Sequence, residues 1–471
     1  MTTPQPLSSS FRDPNGFVFE EGGNLYRKVR VSYSENFKQL TQSGLYITLV
    51  GKGLLVPHED ADIEVNRTGR TFKILKPARV PFVSYPYEWS FSQLKSAALA
   101  TLRIQKISLE YGMSLKDASA YNIQFFGITP SLIDTLSFEV YEEGSPWVAY
   151  KQFCQHFLAP LALMAFVDLR LSRLTQSHID GIPLDLACKL LPKRALLNGN
   201  LLMHLFLHAK LQNKFEGTRA SASSRRLPKH ALLGLIDSLE AAVSSIHLPK
   251  CQSNWSDYYD CNSYSAETTE KKLATVRDML MQTAPKTVFD FGANCGRYSR
   301  VAAELGAMTI SLDMDPLCVQ KNYLDAEKES SNRILPLVID LTAPTPSIGW
   351  SNNERASLIE RGPCDTGLAL ALVHHLAISN NVPFERIAEF FSLVCKTLII
   401  EFVPKSDVQV QRLLASRKDI FTAYTEETFE NEFGKFFEII EKTPLEESGR
   451  VLYLMKLHGT KERNYNIPGQ P

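Results

Sequence analysis

The C-terminal half of the chain alternates short apolar runs with amphipathic stretches. Val288-Phe-Asp-Phe291 is an apolar strand with a carboxylate near its end, and Gly292 and Gly296 follow within a few residues. Tyr298, Val301, Ala302 and Leu305 then recur on one helical face, and Gly306 stops the pattern. Thr309 to Asp313 is a second apolar strand ending in an acid, and Ile334 to Ile339 a third, followed by Asp340. Between them, Asp315 suits a helix cap and Pro316 a first helical turn. Strand, glycine turn, helix, strand is the pattern of a parallel sheet with crossover helices. In such sheets ligands bind outside the carboxyl ends of the strands, where Asp290, Asp313 and Asp340 would all stand. Asp313 follows Asp290 by the roughly 20 residues at which such folds place an acid on ribose hydroxyls. A carboxylate just before the glycine turn repels a pyrophosphate but suits the cationic amino-acid end of S-adenosylmethionine.

The N-terminal half is less regular. Residues 45 to 56 and 71 to 84 read as short strands, Phe91 to Tyr111 as a helix, and Trp147 to Arg173 and Leu184 to Ala209 as largely helical. The serine-rich polar stretch 216–230 has no period and reads as a linker. It divides an α+β module (1–215) from a second domain (231–460), and a polar tail (461–471) follows. Leu232 to Ile246 reads as an amphipathic helix bridging the halves.

Asp290-Phe-Gly-Ala-Asn-Cys-Gly296 resembles motif I of the class I S-adenosylmethionine-dependent methyltransferases. Cys364 to His375 resembles their fourth strand and motif IV, Thr397 to Val403 their fifth strand, and Val451 to Leu457 their last, antiparallel strand. The resemblance implies a Rossmann-like, seven-stranded α/β fold with S-adenosylmethionine as cofactor. It further implies that Asp290 organises the turn and meets the methionine amine, that Gly292, Asn294 and Gly296 form the cradle, that Asp313 holds the ribose, and that Asp340 meets the adenine. Tyr264, ahead of the helix leading into motif I, is a candidate to close over the cofactor. The Asn/Asp-Pro-Pro-Tyr clamp of many amine and amide methyltransferases is absent; Leu372-Val-His374-His375 stands there. A histidine can serve as general base for the acceptor, so His374 and His375 are the catalytic candidates. Glu401, ending the fifth strand, either faces substrate or pairs with Arg450. The Ala-Leu-Val-His-His-Leu and Ile-Ile-Glu-Phe-Val-Pro segments are similar to those of the NoeA group of nodulation proteins, which implies a small-molecule or glycan acceptor.

In the first half, Asp117, Asn122 and Asp134 have the spacing of the catalytic loop and metal-binding aspartate of the protein kinase fold, with a hairpin between Ile123 and Ile133. This implies a kinase-like shape. Lys73 lies on a candidate strand, but no glycine loop over phosphates is evident. The alternatives are a working phosphotransferase beside the methyltransferase, or a non-catalytic S-adenosylmethionine-binding scaffold; without phosphotransfer, Asp117 and Asn122 are turn and cap residues of a substrate-binding or scaffolding module.

Composition narrows the partners. The 51 lysines and arginines balance 51 aspartates and glutamates, so no overall field draws the chain to nucleic acid. The eight cysteines are scattered without a Cys-x-x-Cys pair, which argues against a structural metal and for reduced thiols in a cytoplasm. The longest apolar stretch, near Phe157 to Val167, is too short for a membrane span. Nothing in the sequence assigns an oligomeric state.

Overall fold

The computed structural model describes residues 5–63, 70–207, 227–249, 266–415, 418–445 and 448–459. The chain divides into two compact units. One comprises Met1–Ser253 with Asp315–Ile339 and Thr345–Ser357, and the other Asn254–Met314, Asp340–Pro344 and Leu358–Pro471.

The first unit opens on an antiparallel hairpin of β1 (Gly16–Glu21) and β2 (Asn24–Arg30). Its turn is Gly22-Gly23, with φ of 56° and 76°. Two successive left-handed residues are what a tight hairpin turn demands, and glycine meets that demand without steric cost. This hairpin is a feature the sequence reading missed, although Gly-Gly between two apolar-polar runs signals it. Strands β3 (His58–Asp60) and β4 (Thr71–Pro77) complete a four-stranded sheet in the order β1-β2-β4-β3. Residues 45 to 51, expected as a strand, form the helix Leu45–Gly51. Leu45 and Leu49 are both buried, a spacing that fits one helical face, and the short apolar run hid this period.

The helix Phe91–Glu110 is started by a reciprocal cap. Ser90 accepts from the Gln93 backbone, and the Gln93 side chain accepts from Ser90 N–H. Two short antiparallel pairs follow, β5 (Met113–Leu115) with β8 (Phe138–Val140), and β6 (Ile123–Phe126) with β7 (Thr129–Leu132). The second pair is the expected hairpin. The helix Lys229–Ser245 also falls in this unit. Ser92 N–H donates to Gln320 (2.9 Å) and Gln93 Nε2 to the Pro336 carbonyl (3.0 Å), which helps place residues 315–339 with the N-terminal segment.

The parallel sheet expected of the C-terminal half has seven strands in the order β11-β10-β9-β12-β13-β15-β14. These are β9 (Thr287–Phe291), β10 (Met308–Asp313), β11 (Ile334–Val338), β12 (Cys364–Ala369), β13 (Cys395–Phe402), β14 (Phe437–Leu445) and β15 (Arg450–Leu457). Strand β9 pairs in parallel with β10 on one side and β12 on the other, while β15 runs antiparallel to both β13 and β14. This is the order of the class I methyltransferase fold. The chain steps outward from β9 through β10, then returns to continue at β12, so the topological switch lies between β9 and β12.

Behind the sheet, Phe291 packs edge-on against Phe391 of the helix Phe384–Val394, with ring centroids 5.2 Å apart. Both rings are fully buried. Replacing Phe391 by Ala should destabilise the fold by about 3–5 kcal/mol. Urea unfolding followed by circular dichroism measures this; a loss below about 1 kcal/mol would contradict the packing described.

Candidate functional site

The site is built where β9 and β12 end. After Phe291 the backbone turns left-handed at Gly292 (φ 72°), Asn294 (φ 51°) and Gly296 (φ 79°). The turn is held to the neighbouring strand because both Gly292 N–H and Ala293 N–H donate to the Leu312 carbonyl, at 2.8 and 2.9 Å. Asp313 adds a third tie, its Oδ2 accepting from Asn294 N–H at 2.7 Å. The acid expected on the ribose therefore also anchors the cradle. Asn294 stabilises its own left-handed geometry by accepting from Cys295 N–H at 2.7 Å. Gly296 then leads into the helix Arg297–Glu304.

A side chain at Gly292 would meet a wall. Its Cβ would stand 3.2 Å from Leu372 Cδ1, on the segment after β12. The structure thus brings motif I and motif IV face to face; a Cβ here would press on the tip of Leu372, and the left-handed φ of 72° itself favours glycine.

Asp290 is buried at 2% exposure on β9. The Ser299 hydroxyl donates to its Oδ2 at 2.6 Å and contacts the Ser311 hydroxyl at the same distance. Burial nonetheless raises its pKa to about 7, opposed by the Ser299 hydrogen bond. Asp290 therefore ties β9 to the helix Arg297–Glu304. Asp340 lies two residues beyond β11, and its Oδ1 accepts from both Thr342 N–H (2.9 Å) and Thr342 Oγ1 (2.7 Å). Tyr264 lies outside the described residues.

The two histidines have different surroundings. His374 is fully buried, and neither ring nitrogen has a hydrogen-bond partner. Burial pushes its pKa well below the usual imidazole value, assisted by His375, Arg450 and Lys272. His375 is less buried, stacks obliquely on His374 with centroids 4.2 Å apart, and is lowered to about 4, again mainly by burial. It opens a π-helical turn, His375–Ser379. Such turns concentrate at functional sites.

Of the two readings of Glu401, the structure takes the pairing one. Glu401 is fully buried, and its Oε2 accepts from Lys272 Nζ (2.7 Å) and Ala371 N–H (2.6 Å). Its Oε1 lies 3.5 Å from the Arg450 guanidinium, whose Nε donates to Asp407 at 2.8 Å. Both of its oxygens are thus engaged by Lys272, the Ala371 N–H and Arg450. Lys272, in the helix Ala266–Thr283, was not legible as a site residue because its partner is 129 positions away.

The kinase-like constellation of the first half is tied up internally. Asp117 Oδ1 accepts from Ser119 N–H and Gln152 Nε2, at 3.0 and 2.8 Å. Asn122 donates to Ser137 Oγ. Asp134 accepts from Leu136 N–H and the Ser137 hydroxyl, and pairs with Arg27 of β2. Lys73 pairs with Asp60 instead. Asp117 thus makes the turn expected of a structural aspartate. Among the described residues, no group of three or more His, Cys, Asp or Glu side chains could hold a metal ion. Nor is any described helix long and apolar enough to cross a membrane.

No family model matches the chain. Among solved structures, it is similar to the bifunctional kinase-methyltransferase WbdD (18% identity, TM-score 0.29), spanning 42% of this chain and 42% of that one. It is also similar to magnesium protoporphyrin IX methyltransferase ChlM from Synechocystis PCC 6803 (18%, TM-score 0.30, 40% and 84%). A third is N-methyltransferase NodS from Bradyrhizobium japonicum WM9 (9%, TM-score 0.30, 41% and 98%). The relation to nodulation protein NoeA of Rhizobium meliloti (strain 1021) runs nearly end to end, with 36% identity over 458 residues and 96% of each chain covered. The chain therefore belongs to the family of nodulation protein NoeA, with a class I S-adenosylmethionine-dependent methyltransferase fold in its C-terminal half.

Proposed function

We propose that this protein transfers a methyl group from S-adenosylmethionine to a hydroxyl or amine of a small molecule or glycan. The observation that carries this reading is the left-handed glycine turn at the β9/β12 switch, tied to Leu312 and Asp313 and walled by Leu372. Its residues suit the cofactor. Gly292 presents bare backbone in a left-handed turn, Asp313 at the end of β10 would meet the ribose hydroxyls, and Asp340 beyond β11 would meet the adenine. Asp290 supplies negative charge at the amino-acid end. The name of the NoeA relative connects that protein with nodulation, and we extend to this chain a small-molecule or glycan acceptor of that setting.

When bound, S-adenosylmethionine supplies a methyl group already activated on a sulfonium. The protein's share is therefore to position the acceptor and take its proton. Burial and neighbouring positive charge hold His374 and His375 neutral at pH 7, and His375, the less buried of the two, is the imidazole better placed to meet an acceptor. Being weakly basic, it takes the proton as bond formation acidifies the acceptor. The bonds already made by Asp117 and Asp134 give no support to a second, phosphotransferase activity.

Three outcomes follow from this assignment. Isothermal titration should show S-adenosylmethionine binding by the wild type that Gly292→Arg and Asp313→Ala abolish or weaken at least tenfold; undiminished binding by both variants would sink the site. Affinity should rise with pH up to about 7 and then level off, because the cofactor's ammonium pairs with the ionised form of Asp290. The slope should approach about tenfold per pH unit at most and vanish in Asp290→Asn. Finally, the folded-state pKa of His375 lies below the roughly 6.5 of an unfolded imidazole, so the unfolded chain takes the proton first. Stability present above pH 6.5 is then lost as pH falls towards 4. Thermal melts should show a shallower decline over this window in the double variant His374→Asn with His375→Asn, and an unchanged slope would refute the neutral-histidine assignment.

A further inference from the structure

Ala371 is an alanine in a glycine's conformation. It stands two residues past β12, at the start of the motif IV segment, with φ of 51°. A left-handed backbone is unfavourable for an L-residue with a Cβ and persists where its surroundings enforce it. Here the enforcing group is Glu401, whose Oε2 accepts Ala371 N–H at 2.6 Å. That oxygen is itself fixed by Lys272 Nζ at 2.7 Å, and the other lies 3.5 Å from Arg450, which Asp407 holds in turn. Lys272, Glu401 and Arg450 are all at most 3% exposed. In a setting this dry, a carboxylate's direction is set by its donors. The segment that follows carries the motif IV residues. Leu372 walls Gly292, His374 is buried with two unpartnered ring nitrogens, and His375 opens the π-turn.

We propose that Glu401 is a positioning residue: clamped by Lys272 and Arg450, it latches Ala371 in the left-handed conformation and so fixes Leu372 beside the glycine turn and sets the course of the histidine pair that follows it. The ion cluster joins the helix Ala266–Thr283, β13 and β15. Its bond to Ala371 transmits that rigidity to the candidate acceptor wall. This rests on the methyltransferase reading for its purpose, although the latch itself is a property of the free protein.

The latch can be separated from ordinary ion-pair stability by removing the charges together. Lys272→Met with Glu401→Gln leaves an amide oxygen that can still accept Ala371 N–H, whereas Lys272→Met with Glu401→Leu leaves none and strands no buried lysine. Histidine-selective NMR of the unliganded protein reports the ring positions, and isothermal titration with S-adenosylmethionine reports the wall. The double variant carrying Glu401→Gln should keep the His374 and His375 resonances together and affinity within about threefold of wild type. The double variant carrying Glu401→Leu should displace both resonances and weaken binding at least tenfold. Adding Ala371→Gly to the latter should return both readouts, since glycine adopts the left-handed conformation without a latch. Failure of Ala371→Gly to restore the resonances, or their indifference to Glu401→Leu, would overturn the latch. Absence of binding by wild type with normal histidine resonances would instead count against the methyltransferase reading and leave the NMR comparison to decide the latch.

Discussion

The candidate site depends on left-handed backbone on both sides of the β9/β12 switch, at Gly292, Asn294 and Gly296 after β9 and at Ala371 after β12. On the β9 side the conformation falls largely to glycine and asparagine, which adopt it readily. The Leu312 carbonyl and the Asp313 carboxylate then hold the turn in place. On the β12 side it falls to Ala371, which needs an external partner. The two sides of the site thus have unlike foundations. One is written into local sequence, and the other depends on a buried charge cluster gathered from distant parts of the second unit.

That cluster is chemically demanding. Burying Glu401, Lys272, Arg450 and Asp407 forfeits their hydration, which their mutual bonds must offset. Replacing such groups with apolar side chains often leaves a fold equally stable, so stability alone is a weak reason for their presence. Orientation is a better one, because only a fixed acceptor can hold a neighbouring backbone N–H in a left-handed turn. The same positive charges help keep His374 neutral, which links the arrangement of the wall to its protonation state.

What could be read from the sequence follows the range of the interactions. Gly292, Gly296, Asp290 and Asp313 were legible because a strand, a turn and a helix are contiguous and their spacing is short. The strand edge at Asp340 followed from the same alternation, and the strand from Cys364 from the resemblance to the class I methyltransferases. Glu401 was legible as a strand-end acid, but its job was not, since Lys272, Asp407 and Arg450 are remote along the chain. In the first half, the Gly22-Gly23 turn carried a local signal that went unused, whereas Leu45–Gly51 was ambiguous because a short apolar run fits strand and buried helix alike. The spacing of Asp117, Asn122 and Asp134 identified the hairpin between them correctly. It could not show that Arg27, on a strand far upstream, pairs with Asp134.

The proposed chemistry stands or falls with the glycine turn between β9 and β12 serving as the cofactor cradle. A crystal structure of the full chain grown with S-adenosylhomocysteine tests it most directly. The ligand is expected to lie over Gly292–Gly296, with its ribose hydroxyls on Asp313 and its sulfur directed towards Leu372. Ligand bound away from this turn, with Asp313 and Gly292 untouched, would contradict it.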